Sequence, residues 1–280
     1  MAGILYLVPT PIGNLGDISL RAKQTLENAD FIAAEDTRVS LKLLNHLEIK
    51  KPLVSYYEHN KTFKGGRIVE RILAGETCAL VSDAGSPAIS DPGEDLVKEC
   101  AAAGITVCAI PGPCAAITAL SISGQSTGRF CFEGFLSTAK KSRREHLDSL
   151  KSERRTMIFY EAPHKLQNTL KDLTDAFGPE RRISLCRELT KLHEQILRMT
   201  LGEALAYYTE NDPRGEYVLI LEGAAEASEE ALTLEDAVSL ALERIASGAS
   251  KKDAVREVSR ETGFPKNALY DAVLRMQDAD

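Results

Sequence analysis

The first 120 residues alternate between short apolar runs and amphipathic stretches, and this alternation restricts the fold more than any other feature of the chain. "GILYLVP", "FIAAED", "PLVSYYE", "CALVSD" and "ITVCAIPG" read as strands. "SLRAKQTLENA", "RVSLKLLNHL", "RIVERILAGE", "EDLVKECAAAG" and "CAAITALSISG" read as the helices, or helix ends, that follow them. Most of the strands lack a strict apolar–polar alternation, so both of their faces are expected to be covered. Strand–helix repeats with two-sided burial predict a parallel sheet between helical layers.

The rhythm then restarts in different proportions. "FCFEGFL", "TMIFYEA", "RISLCREL", "EQILRMT" and "EYVLILEG" read as strands, and "HKLQNTLKDLTDAFG" and "LGEALAYYTEN" as helices. This predicts a second, less regular α/β layer with a mixed sheet. After Gly223 the small, acidic "AAEASEEALT" reads as a linker. Three helical stretches follow. Ser250 suits an N-cap, Gly263 a stop and Pro265 a first turn, so the last two helices suggest a helix-turn-helix. The expected fold class is α/β: two α/β domains, residues 1–120 and 121–226, with a cleft between them, and a small helical tail, 227–280.

Composition removes several function classes. No apolar run is long enough to span a bilayer, and no basic segment precedes the N-terminal apolar run. The expectation is a cytoplasmic protein with no membrane association. The six cysteines form no CxxC and the five histidines no HxxxH or HExxH, so free thiols and no metal site are expected. A net charge of −7 argues against a general polyanion binder but leaves room for a local basic face. The densest basic stretch is "AKKSRREHLDSLKSERR" at 139–155. Lys140, Lys141, Arg143 and Arg144 are its candidate nucleic-acid contacts; the other reading is a solvated helix face.

In an open parallel sheet, ligands sit beyond the carboxyl ends of the strands. Three glycine- and proline-rich segments fall there: "VPTPIGNLGD", "SDAGSPAISDPG" and "IPGPCAAIT". One such loop is usually only a turn, whereas three in one domain point to a site. The chain has no GxxxxGK[ST] and its first loop no GxGxxG, and the loop from Ser82 offers an acid in place of a phosphate-binding lysine. A polar, zwitterionic ligand without a polyphosphate fits better.

"LYLVPTPIGNLGDISLRA", "AEDTR", "LVSDAGSPAISDPG", "IPGPCAAITAL", "FYEAPHKL", "CRELTKLHE" and "GEYVLILEG" resemble, in order from residue 5 to about 223, the tetrapyrrole-methylase family of S-adenosylmethionine methyltransferases. The resemblance is greatest to the ribosomal branch, which methylates the ribose 2′-oxygen of a cytidine in the decoding region of bacterial 16S rRNA. It implies S-adenosylmethionine as cofactor, the small ribosomal subunit as partner and a homodimer. It also implies cofactor contacts at Pro9, Asp83, Ala84, Gly85, Pro87, Ile89, Gly112, Pro113, Cys114, Ala115, Tyr160, Glu161, Ala162, Leu189 and Gly215.

A ribose hydroxyl is a poor nucleophile until its proton leaves. Asp36, Glu188 and Lys191, with Glu35 beside the first, are the candidate catalytic residues; each can also be read as half of an ion pair bracing a loop, with Arg38 and Arg187 as partners. Two other functions stay open: a small-molecule methyltransferase acting on a tetrapyrrole, and a metabolite-sensing DNA-binding regulator that would read DNA through the tail.

Overall fold

The computed structural model describes residues 2–57, 61–225 and 233–277. The chain forms two compact units, Met1–Gly223 and Ala224–Asp280.

The first unit holds two five-stranded sheets. The first is built from β1 (Ile4–Leu7), α1 (Leu20–Asn28), β2 (Phe31–Ala34), α2 (Thr37–His46), β3 (Leu53–Ser55), α3 (Lys61–Leu73), β4 (Cys78–Val81), α4 (Glu94–Ala102), β5 (Thr106–Ala109) and α5 (Ala115–Ser123). All its strand pairs are parallel, in the order β3-β2-β4-β1-β5. The central strands β2 and β4, "FIAA" and "CALV", are buried at every position. That is the two-sided burial their continuous apolar runs predict. Leu26 and Leu44 bring α1 and α2 onto one face of the sheet. Ile68, Ile72, Leu96 and Cys100 bring α3 and α4 onto the other. Ser19 caps α1 by accepting from Ala22 N, and Asp36 caps α2 by accepting from Arg38 N.

The second sheet uses β6 (Phe130–Phe135), α6 (Lys140–Ser149), β7 (Thr156–Glu161), α7 (Pro163–Phe177), β8 (Arg182–Arg187), β9 (Gln195–Thr200), α8 (Leu201–Glu210) and β10 (Tyr217–Leu221). Its order is β6-β7-β10-β8-β9, with β6 and β7 parallel and the other pairs antiparallel, so the sheet is mixed. Leu166, Leu170, Leu173, Leu201 and Tyr208 pack α7 and α8 on one face. Its opposite face is covered by α5: Ala116, Ala119 and Leu120 pack on Ile158, Cys186, Val218 and Ile220. An expected boundary after residue 120 therefore falls inside α5, whose buried side belongs to the second sheet.

The second unit consists of α9 (Leu234–Ala246), α10 (Lys251–Thr262) and α11 (Lys266–Gln277) around Val238, Ala241, Val255, Val258, Leu269 and Val273. Ser250 and Gly263 bound α10 as N-cap and left-handed stop. Most of the expected linker, and the expected boundary at 226/227, lie outside the described residues. Among the described residues no helix is long and apolar enough to cross a membrane.

Candidate functional site

Because β1 lies between β4 and β5, the three loops at the carboxyl edge of the first sheet leave side by side. Thr10 and Gly85 exchange two backbone hydrogen bonds (2.9 and 3.0 Å), which tie the first loop to the second. Ser86 Oγ donates to Pro113 O (3.0 Å), which ties the second to the third. Gly112 lies flat against Pro9, where a Cβ would sit 2.6 Å from the proline Cγ. Gly85, at φ +82°, leaves room for Ile12, whose Cγ2 would lie 3.3 Å from an added Cβ.

The second sheet supplies the facing wall. Tyr160 stacks edge-on with Phe132 and Phe135 and accepts a hydrogen bond from Ala116 N (3.1 Å) at the start of α5. Burial pushes its hydroxyl up to about 12, so it stays protonated. Between the walls lies a cavity of about 260 Å³. Of the expected cofactor contacts, Ala84, Gly85, Ile89, Cys114, Ala115, Tyr160, Glu161, Ala162 and Leu189 line it. Pro9, Asp83, Pro87, Gly112, Pro113 and Gly215 are not on the lining. Asp83 works as a clamp: its Oδ1 accepts from Asp36 N (3.1 Å), holding the loop after β2 to the loop after β4. Ile12, Ser86, Ser90, Asp91, Phe135 and Tyr217 line the cavity without having been singled out in the sequence.

Asp36, Glu188 and Lys191 are all engaged. Asp36 sits off the cavity in a two-pronged pair with Arg38 (2.6 and 3.0 Å), and that pairing holds its carboxyl down at about 2. Lys191 donates to Glu188 Oε1 (2.9 Å) and Glu216 Oε2 (2.8 Å). Burial opposes its charge, but these bonds outweigh burial and hold the ammonium above its ordinary value. The same contact holds Glu188 below its ordinary value. The partner of Glu188 is thus Lys191; Arg187 instead donates to Arg214 O (2.7 Å). Cys186 is buried in the wall with its thiol pushed up to about 11, which removes it as a nucleophile.

Asp91 differs from the other acids of the lining. Glu188 and Glu216 share Lys191, and Glu161 accepts from Thr169 Oγ1 (2.5 Å) and Ala162 N (2.9 Å). Asp91 has no ion pair among the described residues. Burial raises its carboxyl to about 6, against a lowering hydrogen bond from Ser82 and with help from nearby Asp83. Glu35 behind it is raised as well, by burial and then by Asp91 and Asp83.

Strain gathers around the cavity. Among the described residues five non-glycines have positive φ, and four of them, Ala88, Ser90, Glu188 and Thr190, belong to the two loops that border it. Of the basic candidates, Lys140 and Arg144 are exposed on α6, and Lys141, also exposed, lies 3.8 Å from Glu145. Arg143 is largely buried, donating to Asp172 Oδ2 (2.6 Å) and Thr169 Oγ1 (2.8 Å).

Residues 4–205 match the family described as Tetrapyrrole (Corrin/Porphyrin) Methylases, and residues 233–277 match the RsmI C-terminal HTH domain. A Synechocystis protein named Ribosomal RNA small subunit methyltransferase I is 48% identical, over 98% of this chain and 99% of its own length. A Bacillus subtilis protein of the same name is 45% identical, over 96% and 94%. Among solved structures, a uroporphyrin-III-C-methyltransferase from Thermus thermophilus has a TM-score of 0.56 at 21% identity, covering 78% of this chain and 94% of its own. A diphthine synthase has a TM-score of 0.60 at 13% identity, covering 79% and 90%. At these identities the two structures speak for the fold alone.

Gly215 tests how tightly the cavity loops are fitted. At φ +76°, an added Cβ would fall 2.4 Å from Glu188 Cγ. Gly104, at φ +72°, has nothing within 4 Å of the same position. Gly104→Ala should cost about 1–2 kcal/mol, the ordinary left-handed penalty. Gly215→Ala should cost about 1–3 kcal/mol more, because Glu188 must leave Lys191. Urea unfolding of both variants measures the difference; equal losses would mean that the Glu188 loop yields freely.

Proposed function

The chain belongs to the tetrapyrrole (corrin/porphyrin) methylases, and on that premise we propose that it methylates the ribose 2′-oxygen of a cytidine in the decoding region of 16S rRNA. Near-full-length identity to proteins named for methylating small-subunit ribosomal RNA makes it an S-adenosylmethionine-dependent rRNA methyltransferase. The ribose oxygen and the cytidine rest on the resemblance of the cavity motifs to the ribosomal branch. A homodimer in the cytoplasm, acting on the small subunit, belongs to the same reading.

The cavity suits the cofactor. Gly85 leaves backbone bare on one wall, Ile89, Phe135 and Leu189 offer apolar surface, and the N-terminal end of α5 reaches the lining at Cys114 and Ala115. When bound there, S-adenosylmethionine supplies a methyl group on a sulfonium, already a good leaving group. The protein's part is to align the acceptor oxygen, exclude water and receive a proton.

Asp91 carries the assignment of the proton acceptor. Among the described residues it lines the cavity without an ion pair and, unlike Glu161, is not held by a short hydrogen bond from Thr169; at about 6 its carboxyl is mostly ionised at neutral pH yet basic enough to accept a hydroxyl proton. Asp36 and Glu188 are held acidic and Lys191 is held charged, so each fits better as a brace. Tyr160, protonated and tied to Ala116, keeps the two walls in register.

The substrate reading is tested by offering tritiated S-adenosylmethionine with small ribosomal subunits, protein-free rRNA, duplex DNA and uroporphyrinogen. Label should enter rRNA and be recovered on digestion as 2′-O-methylcytidine. Label on a base would overturn the ribose assignment, and label only on the tetrapyrrole would return the chain to small-molecule chemistry.

The proton acceptor has its own test. A carboxylate must be unprotonated to act, so single-turnover transfer should fall as pH drops through about 6. Asp91→Asn should slow transfer by about 10²–10⁴-fold and abolish that acid limb. Its affinity for S-adenosylhomocysteine, measured by calorimetry, should stay within a few-fold of wild type. A variant that keeps the rate and the acid limb would remove Asp91 from this role.

A further inference from the structure

A second concavity opens off the same end of the second sheet, between α6 and α7. Its volume is about 940 Å³, and six basic side chains line it against three acidic ones. This local excess of positive charge stands out on a chain of net charge −7. Asp172 is occupied by Arg143, and Asp148 by Lys151 at 2.7 Å. Lys140, Lys165 and Lys171 have no ion-pair partner among the described residues, and Arg144 reaches Asp148 only at 3.8 Å.

Three features join this groove to the cavity. β6 ends at Phe135 in the cavity wall and runs on into Ser137 and Thr138 in the groove. β7 ends at Glu161, also in the cavity wall, and α7 then carries Lys165, Asn168 and Lys171 along the groove in steps of three residues, one side of a helix. Between them, Arg143 donates to Thr169 Oγ1 (2.8 Å) and Thr169 Oγ1 donates to Glu161 Oε2 (2.5 Å), so a groove residue is hydrogen-bonded to a cavity carboxylate through one hydroxyl.

We propose that the α6–α7 groove is the track along which the sugar–phosphate backbone of the RNA substrate enters the cavity. Lys140, Arg144, Lys165 and Lys171 meet its phosphates, and Arg143 is the strut that fixes α6 against α7. The proposal rests on the reading that the substrate is ribosomal RNA. It adds the direction of approach: the target ribose enters past Phe135 and Ala162. Lysine side chains at helical spacing neutralise phosphates without reading bases, so the groove contributes affinity and register, not sequence choice.

The test is the salt dependence of binding to protein-free small-subunit rRNA, by filter binding across a potassium chloride series. The variant Lys140→Ala/Lys165→Ala/Lys171→Ala removes three phosphate contacts. The slope of log affinity against log salt should shrink by about 2, at about 0.7 per single-stranded contact. Affinity at low salt should fall at least about tenfold, while calorimetric affinity for S-adenosylhomocysteine stays at the wild-type value. Lys141→Ala, off the groove, should leave the slope unchanged. Should the triple variant fold poorly, Lys171→Glu alone, at an exposed position, should still lower the slope. A wild-type slope in a folded groove variant, with methyl transfer to rRNA intact in the parent chain, would overturn the track and leave the substrate reading standing. A parent chain that transfers no methyl to rRNA would overturn the substrate reading, and the track with it.

Discussion

The cavity depends on where α5 packs. This helix follows β5 in sequence, yet Ala116, Ala119 and Leu120 bury themselves against β7, β8 and β10 of the second sheet. Its small side chains let it lie close, and the Tyr160 hydroxyl meets its Ala116 amide at 3.1 Å. Because the turn before α5 also holds Pro113, whose carbonyl accepts from Ser86, the second sheet reaches the loop after β4 through one continuous set of contacts. The two walls therefore belong to one packed structure, and the cavity is the space they fail to fill.

Charge is distributed around that space with a clear division of work. Asp36 with Arg38, Glu188 and Glu216 with Lys191, and Glu161 with Thr169 hold loops in place. The Glu188–Lys191 pair sits on backbone at positive φ, at Glu188 and Thr190, so it holds a conformation that the local residues would not choose alone. What remains, among the described residues, is Asp91 in the wall without a cation, and Lys140, Lys165 and Lys171 of the groove without an anion. An acceptor for a proton and a set of contacts for phosphates are what the proposed ribose methylation would draw from the chain's own side chains.

The parallel sheet, the mixed sheet and the terminal helices were legible because burial on both faces, alternation and caps all leave local marks: "FIAA" and "CALV" cannot face water, and Ser250 and Gly263 punctuate α10. The cavity loops were legible because glycine and proline cluster where strands end. The allegiance of α5 was not, since periodicity shows that a helix has a buried face and not which sheet buries it. Asp91 stood in a quoted motif, but its chemistry comes from burial and from Asp83 across the loop, neither of which is local. Asp83 reads as a ligand contact by type, whereas its Oδ1 is taken by Asp36 N. Lys165 and Lys171 look like the solvent face of an ordinary helix until α6 packs alongside.

The claim on which the rest stands is that the adenosyl cofactor occupies the cavity between the two sheets of the first unit. Hydrogen-exchange mass spectrometry of the full chain, with and without saturating S-adenosylhomocysteine, tests it directly. Slowed exchange should appear in residues 84–91, 112–118, 186–191 and 214–218, with α9–α11 unchanged. Protection confined to other segments, or spread evenly over both units, would contradict the account.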